Sequence, residues 1–136
     1  MNRQIILRNI RKPRELNIVS DINWVCDSFG LSTGRDLDKL SNQVVQSLLK
    51  GISAKGFASS FDIAEDIHAN IQRVNYHLRT LAETGFIYRD KRHILLRGNS
   101  LKETIEEIRN DANRIFDELT RIAEDIDKAL GLKSRE

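Results

Sequence analysis

Cysteine, proline, tryptophan and methionine each occur once in this chain of 136 residues. The lone cysteine, Cys26, excludes an internal disulfide framework and any Cys-x-x-Cys zinc or redox motif. In INWVCDSF it follows Val25 on a short amphipathic run, which makes it a core thiol before it is a bridging or sensing one. No apolar run approaches the length of a membrane span. The start, MNRQIILRNIRKPRE, is basic but lacks the apolar centre and small-residue cleavage site of a signal peptide. A cytoplasmic protein with no membrane contact is expected.

Chemistry-bearing motifs are equally scarce. No phosphate-binding glycine loop, zinc-protease motif or nucleophile elbow occurs. Ser47-Leu48-Leu49-Lys50 fits Ser-x-x-Lys, but the companion motifs of serine acylases are missing and the match is coincidence. His68, His77 and His93 are scattered, without cysteines or carboxylates at ligand spacing. His68, near the helix turn, reads as a capping or packing residue, His77 as a half-buried structural one, and His93 as a phosphate contact. The chain therefore reads as a non-enzyme with no cofactor and no metal.

What is present is charge and periodicity. The chain is 31% charged and 40% hydrophobic, a folded composition that suits one domain with an extension. Net charge is only +2, but it is unevenly placed. Residues 1–15 hold five basic side chains and one acid, and residues 70–97 six and two. Residues 100–136 run the other way, with seven basic and ten acidic. The two basic regions suit a polyanion; the acidic tail reads as a solvated face.

The only proline, Pro13, sits in the basic arm RNIRKPRE. A short helix is expected over Leu16 to Phe29, ended by Gly30, and a second over Asp36 to Lys50, closed by Gly51. Ser59 or Ser60 caps a third helix running through Ile67. His68-Ala69-Asn70 is a tight connection, and a fourth helix follows until Gly85. FIYRDKRHILLR, residues 86–97, reads as a β-hairpin turning at Asp90-Lys91-Arg92. Ser100-Leu101-Lys102-Glu103 is a capping-box signature that opens a long final helix. There Leu101, Ile105, Ile108, Ala112, Ile115, Leu119, Ile122, Ile126 and Ala129 alternate four- and three-residue steps. A repeat of 3.5 residues is a coiled-coil seam, here the interface of a homodimer. A helix folded back along its own domain is the competing reading.

In NIQRVNYHLRTLAETGF, residues 70–86, Ile71, Val74, Leu78 and Leu81 share one helical face. On a wheel of about 100° per residue, Gln72, Arg73, Tyr76 and Thr80 lie opposite that face. Arg79 lies between the two arcs, and Asn75 borders the apolar one. Gln and Asn can pair with adenine, Arg with guanine or phosphate, and Tyr can reach phosphate or stack. Two short helices joined by a tight turn, followed by a basic hairpin, are the parts of a winged helix-turn-helix. Its second helix enters the major groove and its hairpin reaches the neighbouring backbone or minor groove. Arg89, Lys91 and Arg92 cluster at the hairpin tip to neutralise phosphates. Three parts are thus expected: an arm and short helix over 1–35, a winged helix-turn-helix over 36–99, and a dimerisation helix over 100–136. The fold class is mainly α, with a small β-hairpin wing.

The run SSFDIAEDIHANIQRVNYHLRTLAETGFIYRDKRHILL resembles the winged-helix core of the ArsR-like transcriptional regulators, especially archaeal members, over about residues 36–99. By that resemblance Gln72, Arg73, Asn75, Tyr76 and Arg79 fall on recognition-helix positions, and Arg89, Lys91 and Arg92 on the wing. The trailing helix is similar to that family's dimerisation helix. The final helix has no histidine and the cysteine lies far upstream, so the metal-sensing members' ligands are missing. The implied function is a homodimeric regulator of transcription that binds double-stranded DNA. The main alternative is a winged-helix module that docks on a protein of a transcription or nucleoprotein complex. A third is a repressor with a small-molecule pocket between the N-terminal and final helices, lined by Trp24 and Phe116.

Overall fold

The computed structural model describes residues 4–15, 17–31 and 39–133. Among them are five helices and one two-stranded antiparallel sheet. The molecule is mainly helical, with a small hairpin and a long C-terminal helix.

Helix α1 spans Ile18–Ser28. Asn17 starts it from extended backbone, its side chain accepting from the Ser20 amide at 2.8 Å. At its other end Gly30 is left-handed, with φ of 65°, and the amides of Gly30 and Leu31 donate to the carbonyls of Asp27 and Cys26. These paired bonds make a Schellman cap.

Helix α2 runs over Leu40–Lys55. Its expected beginning, from Asp36, falls outside the described residues. Gly51 does not close it. The helix continues to Gly56, whose φ of 85° supplies the left-handed turn-off. At Gly51 a Cβ would meet the Ala58 methyl at 3.4 Å, an ordinary van der Waals distance, so α2 runs alongside the Phe57–Ala58 segment there.

Helix α3, Ser60–Asp66, is capped by Ser59, whose hydroxyl accepts from the Asp62 amide at 3.1 Å. His68, with φ of 53°, turns the chain into α4, Ile71–Thr84. Asn70 caps α4 through the Gln72 amide at 2.7 Å. Gly85 ends it with φ of 90°, and the Phe86 amide reaches back to the Leu81 carbonyl.

Strands β1, Ile87–Asp90, and β2, His93–Leu96, pair in the register Ile87↔Leu96 through Asp90↔His93. The turn holds only Lys91 and Arg92, and Lys91 takes the positive φ of 61° that a two-residue reversal requires. On the other edge of β2, Ala58 and Ile94 exchange both backbone hydrogen bonds, at 2.9 and 2.8 Å. The hairpin is thereby fastened to the segment between α2 and α3.

Helix α5 spans Leu101–Leu130. Ser100 Oγ accepts from the Glu103 amide at 3.1 Å, and the Glu103 carboxylate accepts from Asn99 N–H at 3.0 Å. This is the expected capping box with its return bond displaced by one residue.

One hydrophobic core joins all of these elements. Val44 and Leu48 of α2, Ile63 of α3, and Val74, Leu78 and Leu81 of α4 pack with Ile87 and Ile94 of the hairpin. Cys26 and Leu31 enter the same cluster, as does Ile108 of α5. Phe29 and Phe86 meet edge to face at 4.8 Å. Cys26 and Leu31, from the expected N-terminal part, thus share one core with the helices and hairpin that follow. Among the described residues no helix is long and apolar enough to cross a membrane.

Candidate nucleic-acid interface

Burial of Val74, Leu78 and Leu81 fixes how α4 is rotated, and so decides what its reverse side presents. Gln72, Arg73, Tyr76 and Arg79 are exposed there, and Thr80 and His77 are half-buried. Tyr76 is 60% exposed, its ring edge-on to His77 at 5.3 Å. The Thr80 hydroxyl donates to the Tyr76 carbonyl at 3.3 Å, so part of its polar capacity serves α4 itself. Ile71 departs from its expected place: it lies in the first turn and is 41% exposed, because α4 begins ahead of the core.

Arg89, Lys91 and Arg92 are all exposed on the hairpin. Arg89 leaves β1 and donates to the Asn75 side-chain oxygen at 3.1 Å. The two expected contact residues are therefore bonded to each other, and the oxygen that adenine pairing would use is occupied. Between the C-terminal half of α4 and β1 runs an open groove lined by Arg79, Glu83, Tyr88, Arg89 and Arg97. Glu83 and Asp90 are the acids of residues 70–97, so this surface is predominantly positive.

Arg97 belongs to the scaffold. Its guanidinium donates to both carboxylate oxygens of Asp111, at 2.6 and 3.1 Å, and lies 3.6 Å from Glu107. Arg114 also binds Asp111. The hydrogen bonds that Arg97 donates to Asp111 hold its pKa above the usual arginine value. This bidentate pair ties the end of β2 to α5, with Asp111 only 6% exposed.

Tyr88 escaped the sequence reading. It points outward from β1 beside Arg89, and strand alternation opposite buried Ile87 was the signal that could have found it. His93, expected to touch phosphate, stacks on Phe57 at 3.8 Å with the rings 19° apart. Cys26 is a core thiol, and burial pushes its pKa up to about 12. Asp66 lies between α2 and α3; a hydrogen bond from Ser47 and the neighbouring Lys50 ammonium, 3.3 Å away, keep its carboxyl below the usual range.

The expected dimer seam divides. Ile108 is 2% exposed, held in the chain's own core, and Leu101, Ile105 and Ala112 are half-buried. Ile115, Leu119, Ile122 and Ile126 are exposed, together with Phe116 and Leu130. Among the described residues neither Trp24 nor Phe116 lines the apolar void, the α4–β1 groove or the cleft between α2 and α3. The Trp24 indole donates to the Ile10 carbonyl at 3.3 Å, while Phe116 lies on the outer half of α5. The apolar void bounded by Ile22, Cys26, Leu48, Phe86 and Leu101 has a volume of about 20 Å³, the room of a single water and no more. Among the described residues no group of His, Cys, Asp and Glu is arranged to hold a metal ion.

In comparisons with known proteins, the chain matches no family model, no curated protein and no solved structure.

Proposed function

We propose that this protein is a winged helix-turn-helix regulator of transcription that binds double-stranded DNA as a homodimer. In this reading α3 braces α4, α4 enters the major groove, and the β1–β2 hairpin is the wing. The observation that carries it is the division of α4: Val74, Leu78 and Leu81 are buried while Gln72, Arg73, Tyr76 and Arg79 are exposed beside the basic hairpin. A face of this kind is not needed for solubility, and its groups match base edges and phosphates. Arg73, Arg79, Lys91 and Arg92 supply the charge, and Gln72 and Tyr76 the directional contacts. The exposed apolar stripe on the outer half of α5 supports the homodimer, and a two-fold dimer implies a pseudo-palindromic operator. Half-site centres then lie about one helical turn, or a multiple of it, apart.

A mobility-shift titration on the protein's own promoter region, at several salt concentrations, tests the reading. Affinity should fall steeply with salt as phosphate contacts release counterions. Arg73→Ala and Tyr76→Ala should weaken specific binding while the circular dichroism spectrum stays unchanged. If both variants bind as the wild type does, this face is not the contact surface. A salt-insensitive or absent DNA complex, with a stable protein partner recovered instead, would favour the docking-module reading.

A further inference from the structure

The outer half of α5 carries a pattern that distinguishes two ways of pairing. With Leu101 at heptad position d, Ala112, Leu119 and Ile126 fall at a, and Ile115, Ile122 and Ala129 at d. The two flanks differ in character. Phe116, Ala123 and Leu130 occupy e, whereas Glu118 and Asp125 occupy g. Every residue from Asn113 to Leu130 is exposed.

We infer that this segment docks antiparallel on the same segment of a second copy. The inference rests on the homodimer reading above. In a parallel pair each g residue faces an e residue of the other strand. Glu118 would then lie against the partner's Ala123, and Asp125 against the partner's Leu130. Carboxylates would be pressed on apolar side chains with no cation opposite, an arrangement that costs them hydration. In an antiparallel pair e meets e and g meets g. Phe116 then packs on the partner's Ala123, a large ring over a methyl, and Leu130 lies on the same dry side.

The acids collect on the opposite, solvated flank, among cations of their own helix. Arg114 and Arg121 lie four residues before and three after Glu118. Arg121 and Lys128 stand in the same relation to Asp125. Such spacings place opposite charges side by side on a helix surface, and the remaining repulsion between copies is screened by salt.

Register follows from size. Leu119 opposes the partner's Ile122, Ile115 the partner's Ile126, and Ala112 the partner's Ala129, so small residues close both ends. Sliding one heptad one way would require Ile108, which is 2% exposed inside its own domain. Sliding the other way loses a third of the layers. Six large side chains contribute roughly 100 Å² each, about 1,200 Å² over two copies, enough for a specific interface. The globular bodies, which hold Thr104 and Ile108, lie at opposite ends of the rod and do not compete for space.

The full-length protein, spin-labelled at Glu106→Cys, tests this; native Cys26 is buried and takes no label. Light scattering gives the mass and pulsed dipolar spectroscopy the distance. Two-fold pairing centred between residues 120 and 121 separates the labels by about 44 Å along the rod, and by about 55 Å for Lys102→Cys. Parallel pairing places both near 20 Å, roughly one interaxial spacing plus the label arms. A dimer with the long distances supports the inference. A dimer with the short ones overturns it and leaves the homodimer standing. A monomer overturns both, and a tetramer overturns two-stranded pairing.

Discussion

At the scale of single residues, burial in one case and a hydrogen bond in another have turned side chains away from the roles their chemistry suggests. Cys26 would be a nucleophile or a redox sensor if it were a thiolate, but its pKa is pushed from an ordinary 9.0 to about 12, first by desolvation and then by Asp27. The folded state holds the proton more tightly than the unfolded state. This stabilisation is complete below pH 9 and is lost as pH rises towards 12. The folded protein should therefore resist thiol reagents at pH 8 and react at its unfolding rate. Thermal melts between pH 8 and pH 11 should show a steeper alkaline loss for the wild type than for Cys26→Ala; equal slopes would refute the assignment. Asn75 is the second case. Because its oxygen accepts from Arg89, it positions the hairpin against α4. Asn75→Ala and Arg89→Ala should each weaken operator binding, and the double variant should lose less than the sum, by about 1 kcal/mol of coupling. Additive losses, with altered base preference in Asn75→Ala alone, would restore Asn75 as a base reader. Asn75 and Arg89 stand fourteen positions apart, and only the folded hairpin brings them together.

At the scale of elements, what the sequence made legible is what depends on nearest neighbours. Gly85 and Ser100 cap the helices they were expected to cap, and Ser59 is the one of the two expected serines that does so, because capping is a bond between residues two to four apart. The end of α2 was misjudged for the complementary reason. Gly51 and Gly56 offer the same local freedom, and only Gly56 takes the left-handed φ of 85° that ends the helix. The hairpin was legible from its branched and aromatic residues, although Lys91 turns the chain where glycine is customary. The joint between hairpin and α5 was legible in its cap alone. There Thr104, fully buried, accepts from the Gly98 amide at 2.9 Å and donates to the Ser100 carbonyl at 2.8 Å. A Cβ on Gly98 would stand 2.7 Å from the Thr104 amide nitrogen, so Gly98→Ala must displace the start of α5. Ser100→Ala should cost about 1 kcal/mol through the lost cap. Asp111→Ala should cost more, about 2 kcal/mol, since it strands the partly buried Arg97 guanidinium. Chemical denaturation ranks them, and an Asp111→Ala loss smaller than that of Ser100→Ala would show that the ion pair contributes little.

At the scale of the whole molecule, the 4-3 repeat of α5 named a face but not the surface that covers it. Ile108 and Leu119 are equivalent in the pattern, yet the first is 2% and the second 59% exposed. The inner turns pack against their own core, and the outer turns await a partner in the homodimer proposed here. Periodicity cannot make that distinction, because an apolar stripe reads alike whether its neighbour belongs to the same chain or to another. The two halves should answer differently to truncation. Ile108→Ala removes a buried side chain from a close-packed interior and should lower stability by about 3 kcal/mol at every protein concentration. Leu119→Ala leaves that interior untouched and should act through association alone. For the wild type, the melting temperature should rise with protein concentration, since the unfolding of a dimer is linked to its dissociation. Leu119→Ala should flatten that dependence, and Leu119→Asp should abolish it while preserving the circular dichroism of the folded domain. Ile108→Ala should shift the whole curve downward and keep its slope. Melting curves over a hundredfold range of concentration distinguish the cases. A wild-type midpoint that does not move with concentration would mean that the outer half of α5 stands alone in solution, and the DNA reading would then have to proceed from a single winged helix.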